Sequence, residues 1–201
     1  DDFSDPDYNG GIVFDTLQNE NASKTPLSSQ VSKQVISVKT ADGNFIDHSL
    51  YYLIAREGTG IIPATVDSTY LSYEGLLLNK TVFDSSSTPV WFDLTSVVRG
   101  FREGAHKFKS GDFKVNEDNT VDFFGYGQGA IFFPSGLGYF SRTSGAVPAY
   151  APLIFKINLY GVNQTDHDGD GILSADEFDN DGDGVPDDTD EDGTPDYLDA
   201  D

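Results

Sequence analysis

The chain contains no cysteine in its 201 residues, which excludes a disulfide framework, thiolate-held zinc and thiol catalysis. Basic residues are scarce: 12 lysines and arginines stand against 34 aspartates and glutamates, for a formal net charge of -22. The 12 form no cluster that could offset this. So negative a surface repels nucleic-acid phosphates, and no nucleic-acid partner is expected. No apolar run approaches the roughly 18 residues of a membrane span, so no transmembrane segment is expected. A basic and then apolar leader is also missing ahead of Asp1, so any targeting segment or lipid anchor is expected to lie upstream.

The acidity is unevenly placed. Residues 166–201 carry 16 of the 34 acidic side chains and no lysine or arginine, leaving 18 acidic against 12 basic residues, a net -6, over the first 165. The negative charge therefore belongs to the tail, where multivalent cations are the natural partners. A length of 201 residues supports one well-buried core with a smaller appendage.

Residues 1–34 are polar and weakly periodic apart from Ile12, Val13 and Phe14, the pattern of an extension that wraps a surface without a core of its own. From 35 to 163 the pattern is one of short strands. Val66, Leu71 and Tyr73 alternate with polar residues over part of 66–73, and Leu153, Phe155, Ile157 and Leu159 share one strand face. Within 96–111 the period changes: Val97, Phe101, Ala105 and Phe108 recur at spacings of four, four and three, the stripe of a short helix. Ser96 or Thr95 suits its start and Gly111 its end. Gly100 and Gly104 weaken it by about 1 kcal/mol each, so packing on a sheet must hold it. One helix against a curved antiparallel sheet is an α+β architecture. The glycines of GYGQG at 125–129 follow VDFF and precede AIFF with no helix after them, which predicts a hairpin turn and not a phosphate loop.

The tail, 164–201, fits the twelve-residue calcium loop D-x-D-x-D-G-x5-E. Asp166, Asp168, Asp170 and Gly171 open the first match, Ile172 offers a backbone carbonyl at position seven, and Ser174 and Glu177 fill positions nine and twelve. The template fits again with Asp179, Asp181, Asp183, Gly184, Val185, Asp187 and Asp190, and a third time, overlapping, with Asp188, Asp190, Asp192, Gly193, Thr194, Asp196 and Asp199. Alternating carboxylates suit a hard cation, and the glycine allows the sharp bend. Structural Ca2+ is therefore expected here. Without an ion, sixteen carboxylates would repel one another and leave the tail disordered. Only Phe178 separates Glu177 from the next loop, so the paired helices of an EF-hand do not fit. The arrangement resembles thrombospondin type 3 repeats, calcium-wrapped segments with little core. Such sites suit calcium-rich surroundings outside the cytoplasm: periplasm, outer-membrane surface or secretion, in a bacterium.

Between these ends, the run YLSYEGLLLNKTVFDSSSTPVWFDLTSVVRGFREG, then FPSGLGYF, then AVPAYAPLIFKINLYGV resembles an FKBP-type peptidyl-prolyl isomerase domain over about residues 50–162. The resemblance implies a bent antiparallel sheet wrapped around one short helix and followed by the irregular tail. It implies a catalytic set of Tyr73, Phe83, Asp84 and Tyr139, and a substrate-binding set of Val90, Val97, Val98, Phe101, Ala146, Val147 and Phe155. Phe101 stands where the family usually has a tryptophan, Val90 where an aromatic is common, and Phe140 where glycine is frequent. The partners implied are proline-containing polypeptides, and no cofactor is implied for catalysis. Two other functions remain open: a catalytically weak peptide-binding or chaperone module on the same fold, and a calcium-dependent surface adhesion element. The segment 112–133 is longer than the family's usual link after the helix, and VDFF and AIFF within it could pair as a hairpin beside the site.

Overall fold

The computed structural model describes residues 11–180, 182 and 184–200; Asp181 and Asp183 of the second calcium template lie outside them. Alternating sequence builds the strands. In β8 (Leu153–Asn163), Leu153, Phe155, Ile157 and Leu159 are all buried while their neighbours are not, so one face of the strand meets the core. With β1 (Ser32–Lys39), β2 (Phe45–Arg56), β3 (Ser68–Leu76), β4 (Val82–Asp93) and β7 (Gly127–Phe133), it forms a six-stranded sheet in the order β1-β2-β7-β8-β3-β4. Every neighbouring pair is antiparallel. Register breaks at Ile54/Arg56, Tyr70/Leu71, Leu71/Tyr73 and Gly75/Leu76 are irregularities of the kind that bend a strand and increase its twist. The central helix α1 (Arg99–Ala105) packs on β2, β7 and β8.

That packing explains the helix glycines. A methyl group at Gly100 would stand 2.4 Å from the Phe133 ring, and one at Gly104 would stand 2.6 Å from Ile131 Cδ1. The helix therefore lies closer to the sheet than any residue with a Cβ permits. Gly104→Ala should lower stability by about 1–3 kcal/mol through overpacking, although alanine is the better helix former. Denaturant unfolding of the variant checks the sign.

Several sequence expectations are corrected. The helix covers one part of the four-four-three stripe only: it ends at Ala105 with His106 as its C-cap, and Phe108, 1% exposed, is buried beyond it. Neither Thr95 nor Ser96 caps it. Val98 is its N-cap and makes no side-chain bond, while Thr95 N donates to Asp93 Oδ1 at 2.8 Å in a separate 3-10 turn, Leu94–Ser96. Gly111 is no helix end; its N–H donates to the Tyr160 carbonyl at 3.1 Å. VDFF does not pair with AIFF. It forms β6 (Val121–Phe124), which pairs with β5 (Asp112–Val115) as a separate two-stranded sheet, while AIFF belongs to β7. Gly125, at φ +60°, and Tyr126 consequently connect the two sheets, and Gly127–Gly129 already belong to β7, so GYGQG is not a hairpin turn. The strand expected from Val66 begins at Ser68, and β1 begins at Ser32, inside the stretch read as an extension. That extension buries Ile12 (4% exposed) against Ala55 and Ala130 and sets Phe14 edge-on to Phe132 at 5.3 Å.

Candidate functional site

Several of the core residues that α1 and the sheet share are aromatic. Phe101 of α1 and Phe155 of β8 are 4% and 5% exposed and lie edge to face, ring centroids 5.0 Å apart. Tyr73 of β3 stands 6.4 Å from Phe101 and 6.3 Å from Phe155, and Phe83 of β4 stands 5.4 Å from Phe155. Gly75 makes this approach possible, since a Cβ there would meet the Phe83 ring at 2.7 Å. Val97, Val98 and Tyr139 are half-buried against the same core, and Val147 is buried within it. The result is an apolar floor with a half-open rim. At the rim the Tyr73 hydroxyl donates to Asp84 Oδ2 at 2.8 Å.

Two sequence-derived residues stand apart from this cluster. Val90 is half-buried and faces Leu71 across the β3–β4 ladder, and Ala146 is exposed on the loop before β8. A residue the sequence reading passed over takes part instead: Phe92, 5.3 Å from Tyr73 and 5.9 Å from Phe101. Its signal was its place two residues after Val90, on the same face of a strand.

Burial first, then the hydrogen bond and charge of Asp84, push the Tyr73 hydroxyl from 10.0 up to about 12. The raised value means that the protonated phenol is the form the fold favours. Its contribution to stability should be complete below about pH 10 and lost as pH rises through about 12. Burial raises the Tyr160 hydroxyl as well, so phenolate absorbance in an alkaline titration should show late-titrating tyrosines and lose one of them in Tyr73→Phe.

The tail is irregular, with two 3-10 turns, Ser174–Asp176 and Asp196–Leu198, among its described residues. It nevertheless repeats one geometry three times. The position-one aspartate accepts from the backbone N–H of the position-six glycine: Asp166 from Gly171 at 3.1 Å, Asp179 from Gly184 at 2.9 Å, Asp188 from Gly193 at 3.0 Å. The position-nine side chain accepts from the N–H at position two: Ser174 from His167, Asp187 from Asn180, Asp196 from Thr189. The position-nine N–H returns to the carbonyl just before the loop, at Thr165, Phe178 and Asp187. Ser174, Asp187 and Asp196 thus close their loops in addition to any role toward a cation. All three position-six glycines adopt φ of +78° to +99°, the left-handed region that favours glycine.

Carboxylate oxygens of Asp166, Asp168 and Asp170 lie within 4.8 Å of one another, as do those of Asp188, Asp190 and Asp192. Burial and then the Asp170, Asp168 and Asp166 charges hold the Glu177 carboxyl above its ordinary range. Asp168 Oδ2, Glu177 Oε2, Asp179 Oδ1 and Asp188 Oδ1 are shielded from solvent and have no hydrogen-bond partner. Acceptor-only oxygens in that state fit a hard cation. Ile172, Val185 and Thr194 occupy position seven of the three loops, and Asp199 position twelve of the last.

The tail rests on the domain. Thr165 N donates to Asp67 Oδ1 at 3.2 Å, and Ser68 N donates to Thr165 Oγ1 at 3.1 Å. His167 Nε2 lies 3.3 Å from Asp93 Oδ2, and the Arg102 guanidinium of α1 lies 5.5 Å from the Phe178 ring centroid. Phe178 is 6% exposed and packs with Tyr197.

Comparison with known proteins agrees with the fold. Residues 61–160 match the family model described as FKBP-type peptidyl-prolyl cis-trans isomerase. FkpA, an FKBP-type peptidyl-prolyl cis-trans isomerase of Aeromonas hydrophila, is 29% identical over 160 residues, covering 78% of this chain and 51% of that protein. The outer membrane protein MIP of Legionella longbeachae is 29% identical over 157 residues, 75% of this chain and 58% of that protein. The chain thus spans between half and three-fifths of the length of these two relatives. A multi-domain immunophilin from Arabidopsis thaliana aligns with a TM-score of 0.50 at 17% identity, over 64% of this chain and 49% of that one, a likeness of fold. Through residues 61–160, the chain belongs to the FKBP-type peptidyl-prolyl cis-trans isomerase family.

Proposed function

We propose that the protein catalyses cis–trans isomerisation of X-Pro bonds in proline-containing polypeptides of the bacterial envelope or secreted fraction, and that its tail is ordered by calcium. The observation that carries the catalytic reading is the convergence of Phe83, Phe92, Phe101 and Phe155 beneath a rim that holds the Tyr73–Asp84 pair. Rotation about an X-Pro bond is slow because it sacrifices amide resonance. The twisted amide is less dipolar than the planar one and loses less on leaving water. An apolar aromatic floor therefore favours it over the ground state, which is the requirement for acceleration. The floor receives the proline ring, with Val97 and Val98 at its side. Tyr139 O–H is the donor available to a substrate carbonyl, and Asp84, oriented by Tyr73, acts electrostatically on the rotating group. The rotation makes and breaks no covalent bond.

Calcium would be held by the aspartates at positions one, three and five of each loop, with Glu177, Asp190 and Asp199 at position twelve. It would neutralise carboxylates that otherwise repel. The envelope assignment is supported by this chemistry and by the relative whose name places it in the outer membrane. Among the described residues no helix is long and apolar enough to cross a membrane.

A protease-coupled assay on Xaa-Pro peptides tests the catalytic reading. Acceleration above the uncatalysed rate is expected. Saturable peptide binding without acceleration would replace it with a binding module.

A further inference from the structure

We propose that the outer face of the sheet, opposite the proline pocket, carries a second binding site, for a neutral, hydroxyl-rich ligand of the saccharide class. Along β3 and β8, Leu71, Ile157 and Leu159 are buried in the core, so the residues that alternate with them, Tyr70, Ser72, Asn158 and Tyr160, stand on the other face. There a cleft of about 560 Å³ is lined by Ser72, Glu74, Thr88, Gln128, Lys156 and Asn158, a volume in the range of small-molecule sites. The break in the β3–β4 register builds one wall. Pairing passes from Leu71/Val90 to Tyr73/Ser86 and leaves Ser87, Thr88 and Pro89 out of the ladder.

The floor of the cleft is a chain of neutral polar groups. Asn158 Nδ2 donates to Ser72 Oγ at 3.0 Å, and Ser72 Oγ lies 3.3 Å from the Tyr160 hydroxyl. Asn158 Oδ1 and, opposite it in the β7–β8 register, Gln128 Oε1 are shielded from solvent and accept no hydrogen bond. An acceptor left in that state costs about 1–3 kcal/mol. The last torsion of a side-chain amide is broad, so each oxygen can turn to a donor seated in the cleft. Lys156 and Glu74 pair at 2.6 Å and neutralise each other.

Tyr160 leads from this floor to an aromatic platform. Its ring centroid lies 6.4 Å from Tyr70 and 5.4 Å from Phe123 of the β5–β6 hairpin, and Tyr70 lies 5.1 Å from Trp91. Trp91, the single tryptophan of the chain, is 55% exposed. Rings held by one another bind at little ordering cost. Aromatic faces beside hydroxyls and amides match a sugar ring, whose C–H faces are apolar and whose edges both donate and accept. An anionic ligand would meet a chain of net charge -22. A polypeptide that adds to a sheet needs a free strand edge, and β3, β7 and β8 are each paired on both sides, so only their side chains are available.

The test titrates the whole chain with maltotriose, cellotriose, xylotriose and chitotriose at millimolar concentration, by calorimetry and by Trp91 fluorescence. Dextran sulfate and a phenylalanine-rich peptide serve as anionic and apolar controls. At least one of the neutral saccharides should bind and shift the Trp91 emission. By calorimetry, Trp91→Ala and Asn158→Ala should each weaken that binding about three- to tenfold, the scale of one aromatic contact or one hydrogen bond. Trp91→Ala removes an exposed ring, so its thermal midpoint should stay near that of the parent and keep the comparison valid if Asn158→Ala melts early. No binding of any of these saccharides by the folded parent overturns the site, and so does binding that Trp91→Ala and a folded Asn158→Ala retain at full strength. Binding of the peptide alone overturns the saccharide class and makes the face a polypeptide surface.

Discussion

Replacing Asp84 with alanine should lower kcat/KM for Xaa-Pro peptides by about tenfold or more, a loss of about 1.4 kcal/mol of transition-state stabilisation, with the fold intact. The carboxylate is exposed at the rim, where it accepts the 2.8 Å bond from Tyr73, so its removal leaves no buried charge unpaired. Preorganised groups facing charge that changes in the transition state give losses of about 10²–10³ when fully shielded. Solvent around Asp84 places the expected loss below that range. Tyr73→Phe should act through the same group, since the lost hydroxyl frees the carboxylate to rotate. The double variant should therefore cost less than the product of the two single losses, as residues in contact do. Equal kcat/KM in parent and Asp84→Ala would remove Asp84 from the mechanism while leaving the aromatic floor. A circular dichroism melt of each variant separates lost chemistry from lost structure.

Chelation of calcium should open the tail and destabilise its seat on α1. At a free calcium concentration one hundredfold above Kd, each site that exists only in the folded tail contributes about 2.7 kcal/mol. Removing it returns the carboxylate triplets at Asp166, Asp168, Asp170 and at Asp188, Asp190, Asp192 to mutual repulsion. Limited proteolysis should then cut within 164–200 in chelator and spare it in calcium. Because Phe178 is buried under Arg102 and His167 meets Asp93, amide exchange should also quicken in Arg99–Ala105 once the tail leaves. Identical cleavage with and without chelator would refute the calcium reading. Tail cleavage with unchanged helix exchange would refute only the docking.

Much of the fold was legible because it depends on local pattern. The alternation of Leu153 to Leu159 reports directly on one buried face of β8, and the motif order around Phe83, Asp84 and Tyr139 pointed to the residues the structure brings near α1. Less legible were features set by distant partners. The stripe from Val97 to Phe108 has helical spacing, yet Phe108 reaches the core from a loop, since burial constrains where a side chain ends and not the backbone that carries it. VDFF could pair with either neighbour by propensity, and DFKV captured it through a turn over 116–120 in which Asn116 N donates to the Thr120 carbonyl at 2.8 Å. Val90 matched the family by position, but Phe92, with the larger ring, contacts Tyr73 and Phe101. In the tail, ligand spacing was visible in the one-letter code. The second use of Ser174, Asp187 and Asp196 as loop closures was not, because it requires the three-dimensional return of each chain to its own start.

Asp187 belongs to two loops at once. Its carboxylate and N–H close the second, while its carbonyl receives the N–H of Asp196 that closes the third. Asp190, in turn, is position twelve of one and position three of the other. Neither loop is able to settle around an ion without setting part of its neighbour, so filling should be cooperative: a sigmoidal titration with the second and third ions entering together, and the first, tied to Thr165 and the domain, entering on its own.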